Sequence, residues 1–238
     1  MTTTFKRPVA NWLIADLPKT ERDELLDHCE LVELSRGEVL STQYCSYSHA
    51  WFPLTAFMSV MTSVTEHPPM EIGMIGHEGM LGVTLLLAIN QAPHQAIITG
   101  AGKALKINRV VFNDLLPGSP VLLQSLQHYC FQLMMQMAHT ISCSHFHRVE
   151  ARLACWLLMA HDRVDGDRFY LTHQSIADLL GVQRSAVTIA SGTLKLGGLI
   201  DYSRGRISIL DRRGLEKAAG DCYTSLIRPL DAEYSTQS

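Results

Sequence analysis

No two cysteines in this chain stand in a Cys-x-x-Cys pair, and no apolar run approaches the roughly 18 residues that cross a bilayer. The six cysteines (Cys29, Cys45, Cys130, Cys143, Cys155, Cys222) are scattered, which in a chain of 238 residues reads as reduced, mostly buried, cytosolic usage rather than a disulfide frame. The stretch from Met1 to Lys19 holds Trp12-Leu13-Ile14 but is interrupted by Arg7, Pro8, Asn11 and Asp16, so it lacks the form of a signal peptide. A Gly-x-Ser-x-Gly elbow, a His-Glu-x-x-His pair and a glycine-rich phosphate loop are all missing, and nothing argues for an enzyme. Internal repeats and low-complexity tracts are absent too. Nor is there an excess of positive charge: the formal net charge is −3.

What is present is ample core material, with 47% hydrophobic residues, enough for one or two folded domains. The most informative stretch runs from Thr172 to Ile189. Ile176, Leu179 and Leu180 make an apolar stripe at i, i+3, i+4, Ala177 is small where two helices would cross, and Gly181 can take positive φ to end the first helix. Val182 is an apolar plug, and Val187 with Ala190 turns the second helix inward, leaving Gln183, Arg184, Ser185, Thr188 and Ser191 outside. These offsets predict a helix-turn-helix whose second helix enters the DNA major groove. Gly197-Gly198 closes that helix. Leu199-Ile200-Asp201-Tyr202 and Arg206-Ile207-Ser208-Ile209 flank a Ser203-Arg204-Gly205 tip, a hairpin signal, and Phe169-Tyr170-Leu171 is a further strand. Together they predict a winged helix with Arg204 and Arg206 at phosphate height.

The charge distribution agrees. Residues 1–145 carry 8 Lys+Arg against 12 Asp+Glu, or −4, and residues 146–238 carry 12 against 11, or +1. From Arg184 to Arg213 six basic residues face only Asp201 and Asp211, and it is local basic patches that oppose phosphates.

Ahead of this, Thr20 caps a short helix over 20–30, and short strands punctuated by Gly, Pro or Ser follow at 31–34, 38–40, 51–52, 57–64, 70–75, 95–98 and 103–107. Such spacing predicts a small antiparallel roll. Ser119-Pro120 opens a long helix to about Ser142. Leu122, Leu126, Tyr129 and Leu133 form a heptad-like seam, which with Met137 is assigned to a second subunit. Leu123, Cys130, Met134, Met137 and Ile141 form a second stripe, so that one side would cover the roll and the other meet a second subunit; the alternative is a helix buried in a monomeric core. A helix from Val149 to Ala160 then leads through an Asp165-Gly166-Asp167 turn to the winged helix. The fold expected is α+β: a β-roll over 1–118, a dimerisation helix over 119–145 and a winged helix-turn-helix over 146–238. His139, Cys143, His145 and His147 are the densest soft ligands. Only His139 and Cys143 share a helix face, so the segment reads as a hinge and no metal site is assigned.

This order, with Leu171 to Gly181, Arg184-Ser185-Ala186-Val187-Thr188 and the Gly76-His77-Glu78-Gly79-Met80-Leu81-Gly82 turn, resembles the Crp/Fnr superfamily of bacterial transcription regulators over nearly the whole chain. The resemblance implies a cytoplasmic homodimer on a pseudo-palindromic double-stranded operator, with half-sites about 34 Å apart and RNA polymerase as a further partner. It implies base contacts from Arg184, Ser185, Thr188 and Ile189, the last at a position that is arginine in cyclic-AMP-binding members. Phosphate contacts are implied for His173, Gln174, Gln183, Arg204 and Arg206.

The effector pocket would lie at Gly82, Val83, Thr84, His94 and Gln95. The glutamate and arginine that hold ribose and cyclic phosphate in the family are missing there, which disfavours cyclic AMP. With only Cys29 and Cys45 near the N-terminus, an iron–sulfur cluster is disfavoured as well. His77 or His94 would serve haem by family analogy alone, so no cofactor is named. The alternative is a metal- or ligand-binding sensor whose winged helix meets protein.

Overall fold

A computed structural model describes residues 11–63, 65, 66, 68–164 and 166–226. In chain order these form α1 (Trp12–Ala15), α2 (Lys19–Asp27), β1 (Glu30–Leu34), β2 (Val39–Ser41), β3 (His49–Pro53), β4 (Phe57–Thr62), β5 (Met70–Ile75), β6 (Gln95–Gly100), β7 (Gly102–Asn108), α3 (Arg109–Leu115) and α4 (Pro120–Phe146). Then come α5 (Val149–Arg163), β8 (Arg168–Tyr170), α6 (His173–Leu180), α7 (Arg184–Leu196), β9 (Ile200–Ser203), β10 (Arg206–Ile209), α8 (Arg212–Ala219) and α9 (Asp221–Thr224). Val64 and Asp165, expected in a strand and in a turn, lie outside the described residues. The chain divides into two compact units, 1–58 with 75–130 and 59–74 with 131–238, so the division falls inside α4 and not at either of its ends.

In the first unit, β1, β7 and β3 form an antiparallel sheet in that order, with Glu30 opposite Lys106 and Ala50 opposite Ile107. The Lys106 ammonium meets Glu30 at 3.1 Å across the β1–β7 pair. β2 pairs with β6 through a shift between Val39 and Ser41, a bulge that adds local twist. Phe52 and Phe112, both fully buried, meet edge to face at 6.2 Å. Buried Asn11 caps α1 through Oδ1, and its Nδ2 donates to the Pro53 and Gly79 carbonyls at 3.0 and 2.7 Å. The Gly76–Gly82 turn is tight for a steric reason: a Cβ on Gly79 would sit 2.2 Å from the Tyr129 ring.

α2 starts earlier than expected. Pro18 is its N-cap and Thr20 lies inside it, because Pro18 presets φ for the turn that follows. Glu21 of α2 in turn accepts from the Val121 and Leu122 amides at 3.2 and 2.9 Å, placing a carboxylate at the positive end of α4. α4 runs a full turn beyond Ser142, so Cys143, Ser144 and His145 are helical and not part of a hinge.

In the second unit β4 lies beside β5, and a second small sheet has the order β8-β10-β9. α5 is the centre of this unit. It is buried continuously from Leu153 to Ala160 and packs against α6, α7, α8 and α9. α8 and α9 are not expected from the sequence. Asp211 caps α8 by accepting from the Gly214 amide at 3.0 Å, and Arg212 binds Asp162, Glu216 and the Tyr223 hydroxyl at 2.6, 3.0 and 2.6 Å. That network ties α8 and α9 to the end of α5.

Candidate nucleic-acid interface

Thr172 opens the helix pair by accepting from the Ser175 amide at 3.1 Å, which satisfies one of the free donors of α6. Ile176, Ala177, Leu179 and Leu180 are buried on one side of α6. Gly181 ends the helix at φ 63°, and the Val182 amide returns to the Ala177 carbonyl at 3.0 Å. α7 follows after two more residues, with Val187, Ala190, Ser191 and Leu194 buried. Ser191 therefore faces inward, contrary to the expectation from sequence: it lies one residue after Ala190 and four after Val187, inside the same buried arc.

The outer side of α7 presents Arg184, Ser185, Thr188, Ile189 and Thr193, all exposed. Gln183 is the N-cap and makes no side-chain cap bond, so no side chain of α7 covers its positive end. Thr188 is less free than its exposure suggests. Its hydroxyl donates to the Arg184 carbonyl and accepts from His173 Nδ1, both at 3.0 Å. The His173 ring stacks on Tyr202 with centroids 4.3 Å apart, and its Nε2 is buried without a hydrogen-bond partner. Burial and the neighbouring Arg184 charge hold the His173 pKa below the usual imidazole range. The ring, held by Thr188 of α7 and Tyr202 of the wing, positions α6 against both. Gln174, the other residue assigned to phosphate on α6, donates to Asp178 at 2.7 Å.

The wing is the β9–β10 hairpin. Arg204 at φ 49° and Gly205 at φ 82° form its two-residue turn, the left-handed pair that matches the twist of a tight hairpin. A Cβ on Gly205 would also lie 2.7 Å from the Tyr170 ring. Arg204 and Arg206 are exposed, and like Arg184 they enter no ion pair among the described residues. The six basic residues counted from the sequence are not equivalent. Lys195 binds Asp201 at 2.8 Å and the Tyr202 carbonyl at 3.2 Å, and Arg212 is consumed by its network. Only tertiary pairing separates those two from the free arginines.

The residues assigned to subunit contact are placed differently from expectation. Leu122, Leu126, Tyr129 and Leu133 are buried within the single chain, and Met137 is half-buried. The stripe left outside is Phe131, Met134, Met135, Ile141 and Phe146, between 51% and 77% exposed. The period separates the two arcs of α4 but does not encode which arc the chain covers. At the roll, Gly82 (φ 98°) leads into a short 3₁₀ turn, Val83–Leu87, with Leu85 buried. His94 Nδ1 is buried without a partner, and burial lowers the His94 pKa. Gln95 begins β6, half-buried. No arginine or glutamate stands among these five residues.

Residues 151–218 match the Crp-like helix-turn-helix domain. No curated protein matches the chain. Among solved structures, a Crp/Fnr-family transcriptional regulator from Eubacterium rectale has a TM-score of 0.65 at 16% identity, covering 87% of this chain and 97% of its own. A CRP/FNR-family transcriptional regulator from Thermus thermophilus has a TM-score of 0.63 at 21% identity, covering 80% and 98%. The c-di-GMP responsive global regulator CLP of Xanthomonas campestris has a TM-score of 0.63 at 13% identity, covering 81% and 99%. The chain thus has the Crp/Fnr regulator fold, an antiparallel roll joined to a helix-turn-helix domain. No helix of the described residues is long and apolar enough to cross a membrane.

Proposed function

We propose that this chain, with its Crp-like helix-turn-helix domain, is a homodimeric transcription regulator that reads DNA through α7 and steadies it through the wing. The observation that carries the reading is the exposed Arg184 guanidinium on the first turn of α7, without an ion pair among the described residues, above a helix end that its N-cap side chain does not cap. An arginine there can make a bidentate contact to guanine in the major groove, and the helix end favours a phosphate. Ser185 and Ile189 extend the base-facing row. Arg204 and Arg206, raised on the hairpin turn, reach the backbone.

The dimer is assigned to the exposed arc of α4. That helix contains no Asp, Glu, Lys or Arg over about 40 Å. Phe131, Met134, Ala138, Ile141 and His145 follow one another in steps of three and four, the period of a two-stranded seam. The roll is assigned a signal other than cyclic AMP, since the Gly82–Thr84 turn offers no guanidinium for a cyclic phosphate.

The test separates base reading from phosphate anchoring. Arg184→Ala should weaken binding to the specific site far more than to random DNA, by about 1–3 kcal/mol of discrimination. Arg206→Ala should weaken both about equally and lower the salt slope by about one unit. Titrations on both DNAs at several salt concentrations decide it. If neither variant changes binding, the winged helix meets protein and the proposal fails.

A further inference from the structure

We propose that Cys143, His147 and Cys222 form a binding site for a zinc-class divalent cation where α4 meets α9. Their ligand atoms, two sulfurs and one imidazole nitrogen, all lie within 4.8 Å of one another. His147 Nδ1 is 2.8 Å from Cys222 Sγ. Tetrahedral zinc, with bonds of about 2.3 Å to sulfur and 2.0–2.1 Å to nitrogen, sets its ligand atoms roughly 3.3–3.8 Å apart. The observed separations, from 2.8 Å for one pair to no more than 4.8 Å for any, bracket that spacing.

Three further observations point to a metal and not to two buried thiols that happen to meet. The far nitrogen of His147, Nε2, faces Asp221 Oδ1 at 3.1 Å. This is the carboxylate–histidine arrangement that fixes the tautomer and aims the other nitrogen at a metal. Cys143 is 7% exposed and Cys222 fully buried, so the cluster sits where a cation would be shielded from water. Two thiolates with one neutral imidazole also balance a divalent charge, leaving no net charge buried. Beside the three stands His139, whose Nε2 is 3.1 Å from Cys143 Sγ and 2.9 Å from the Cys222 carbonyl. Since that nitrogen is engaged with the carbonyl, the fourth coordination position goes to water.

The ligands come from the last turn of α4, the residue after it, and α9, with His147 and Cys222 75 positions apart in the sequence. Bound metal would therefore staple α9 to the end of α4. No residue of α6, α7 or the wing takes part, so the site stands or falls independently of DNA binding.

The experiment is a metal titration of the full chain, first stripped with chelator and reduced. Cobalt(II) should bind at one equivalent per chain with a thiolate-to-cobalt charge-transfer band and tetrahedral ligand-field bands, and zinc should displace it. Zinc should also protect two of the six thiols from a thiol reagent. Asp221→Asn, at an exposed position, should lower zinc affinity roughly 10-fold or more, and Cys143→Ser, which leaves Cys222 as the one thiolate of the site, should cut the charge-transfer intensity to about half or less. Cys45→Ser, at an exposed cysteine elsewhere, should leave it unchanged. Absence of the charge-transfer band in the parent protein overturns the proposal whatever the variants do, as does a band of undiminished intensity in Cys143→Ser. Circular dichroism on each variant separates lost ligation from lost fold.

Discussion

Replacing Glu71 with glutamine should stabilise this protein above neutral pH and leave it nearly unchanged in acid. Glu71 lies on β5 and is 6% exposed. Its Oε1 accepts from the Trp156 indole at 3.0 Å, and Oε2 is buried without a hydrogen-bond partner. Burial pushes its pKa from about 4.5 up to about 7, against the opposing pull of hydrogen bonds from Ser59 and Trp156 and of the Arg163 charge. Below the unfolded value both states hold the proton and the carboxyl costs nothing in charge. Between that value and the folded one only the native state keeps it, so stability falls as pH rises through the window. At about 1.4 kcal/mol per pH unit the loss reaches about 3 kcal/mol by pH 8.

Glutamine keeps the shape and an acceptor for the indole but cannot ionise. Urea unfolding of parent and variant at pH 4.5, 6 and 8 should give a stability difference that grows with pH and then levels off. Trp156 makes a second probe, since its emission should titrate near pH 7 in the parent and stay flat in the variant. A difference that is constant across pH, or a variant less stable than the parent at pH 8, would refute the argument.

Three other outcomes are expected. Millimolar cyclic AMP should leave the melting temperature unchanged, whereas a ligand at 100 times its dissociation constant adds about 2.7 kcal/mol; a clear rise with cyclic AMP but not AMP would restore the nucleotide to the roll. Met134→Asp with Ile141→Asp should give monomers by light scattering without unfolding the chain, because both side chains are already exposed; a dimer that persists would move the interface off α4. Gly102→Ala should destabilise by about 1–3 kcal/mol in thermal unfolding, because the new Cβ would lie 2.5 Å from the Ala56 amide nitrogen, which cannot rotate away. A variant as stable as the parent would show that the 55–56 turn yields freely.

Local chemistry made the helix-turn-helix and wing legible. Gly181, Gly205 and the apolar spacing in α6 and α7 act within a few residues, and the structure places each of those elements where the pattern put it. The strands of the roll were legible for the same reason, since their turns are marked by Gly, Pro and Ser. α8 went unread because it is short and polar; its stability comes from Asp211 and from Arg212 reaching Asp162, 50 residues away.

The sequence by itself thus determined the strands of the roll, the helix-turn-helix and its wing, and the inward positions of Ile176, Leu179, Leu180, Val187 and Ala190, though not that of Ser191. Tertiary structure decided what no period encodes. It covered Leu122 and Leu126 and left Met134 and Ile141 outside, because a helix with apolar stripes on two faces and no Asp, Glu, Lys or Arg does not encode which stripe the rest of the chain covers. It spent Lys195 and Arg212 on internal partners, while Arg184, Arg204 and Arg206 enter no ion pair among the described residues. It also brought Cys222 to Cys143 and His147. Such convergence depends on side chains far apart along the chain, and spacing in the sequence carries no information about distances of that kind.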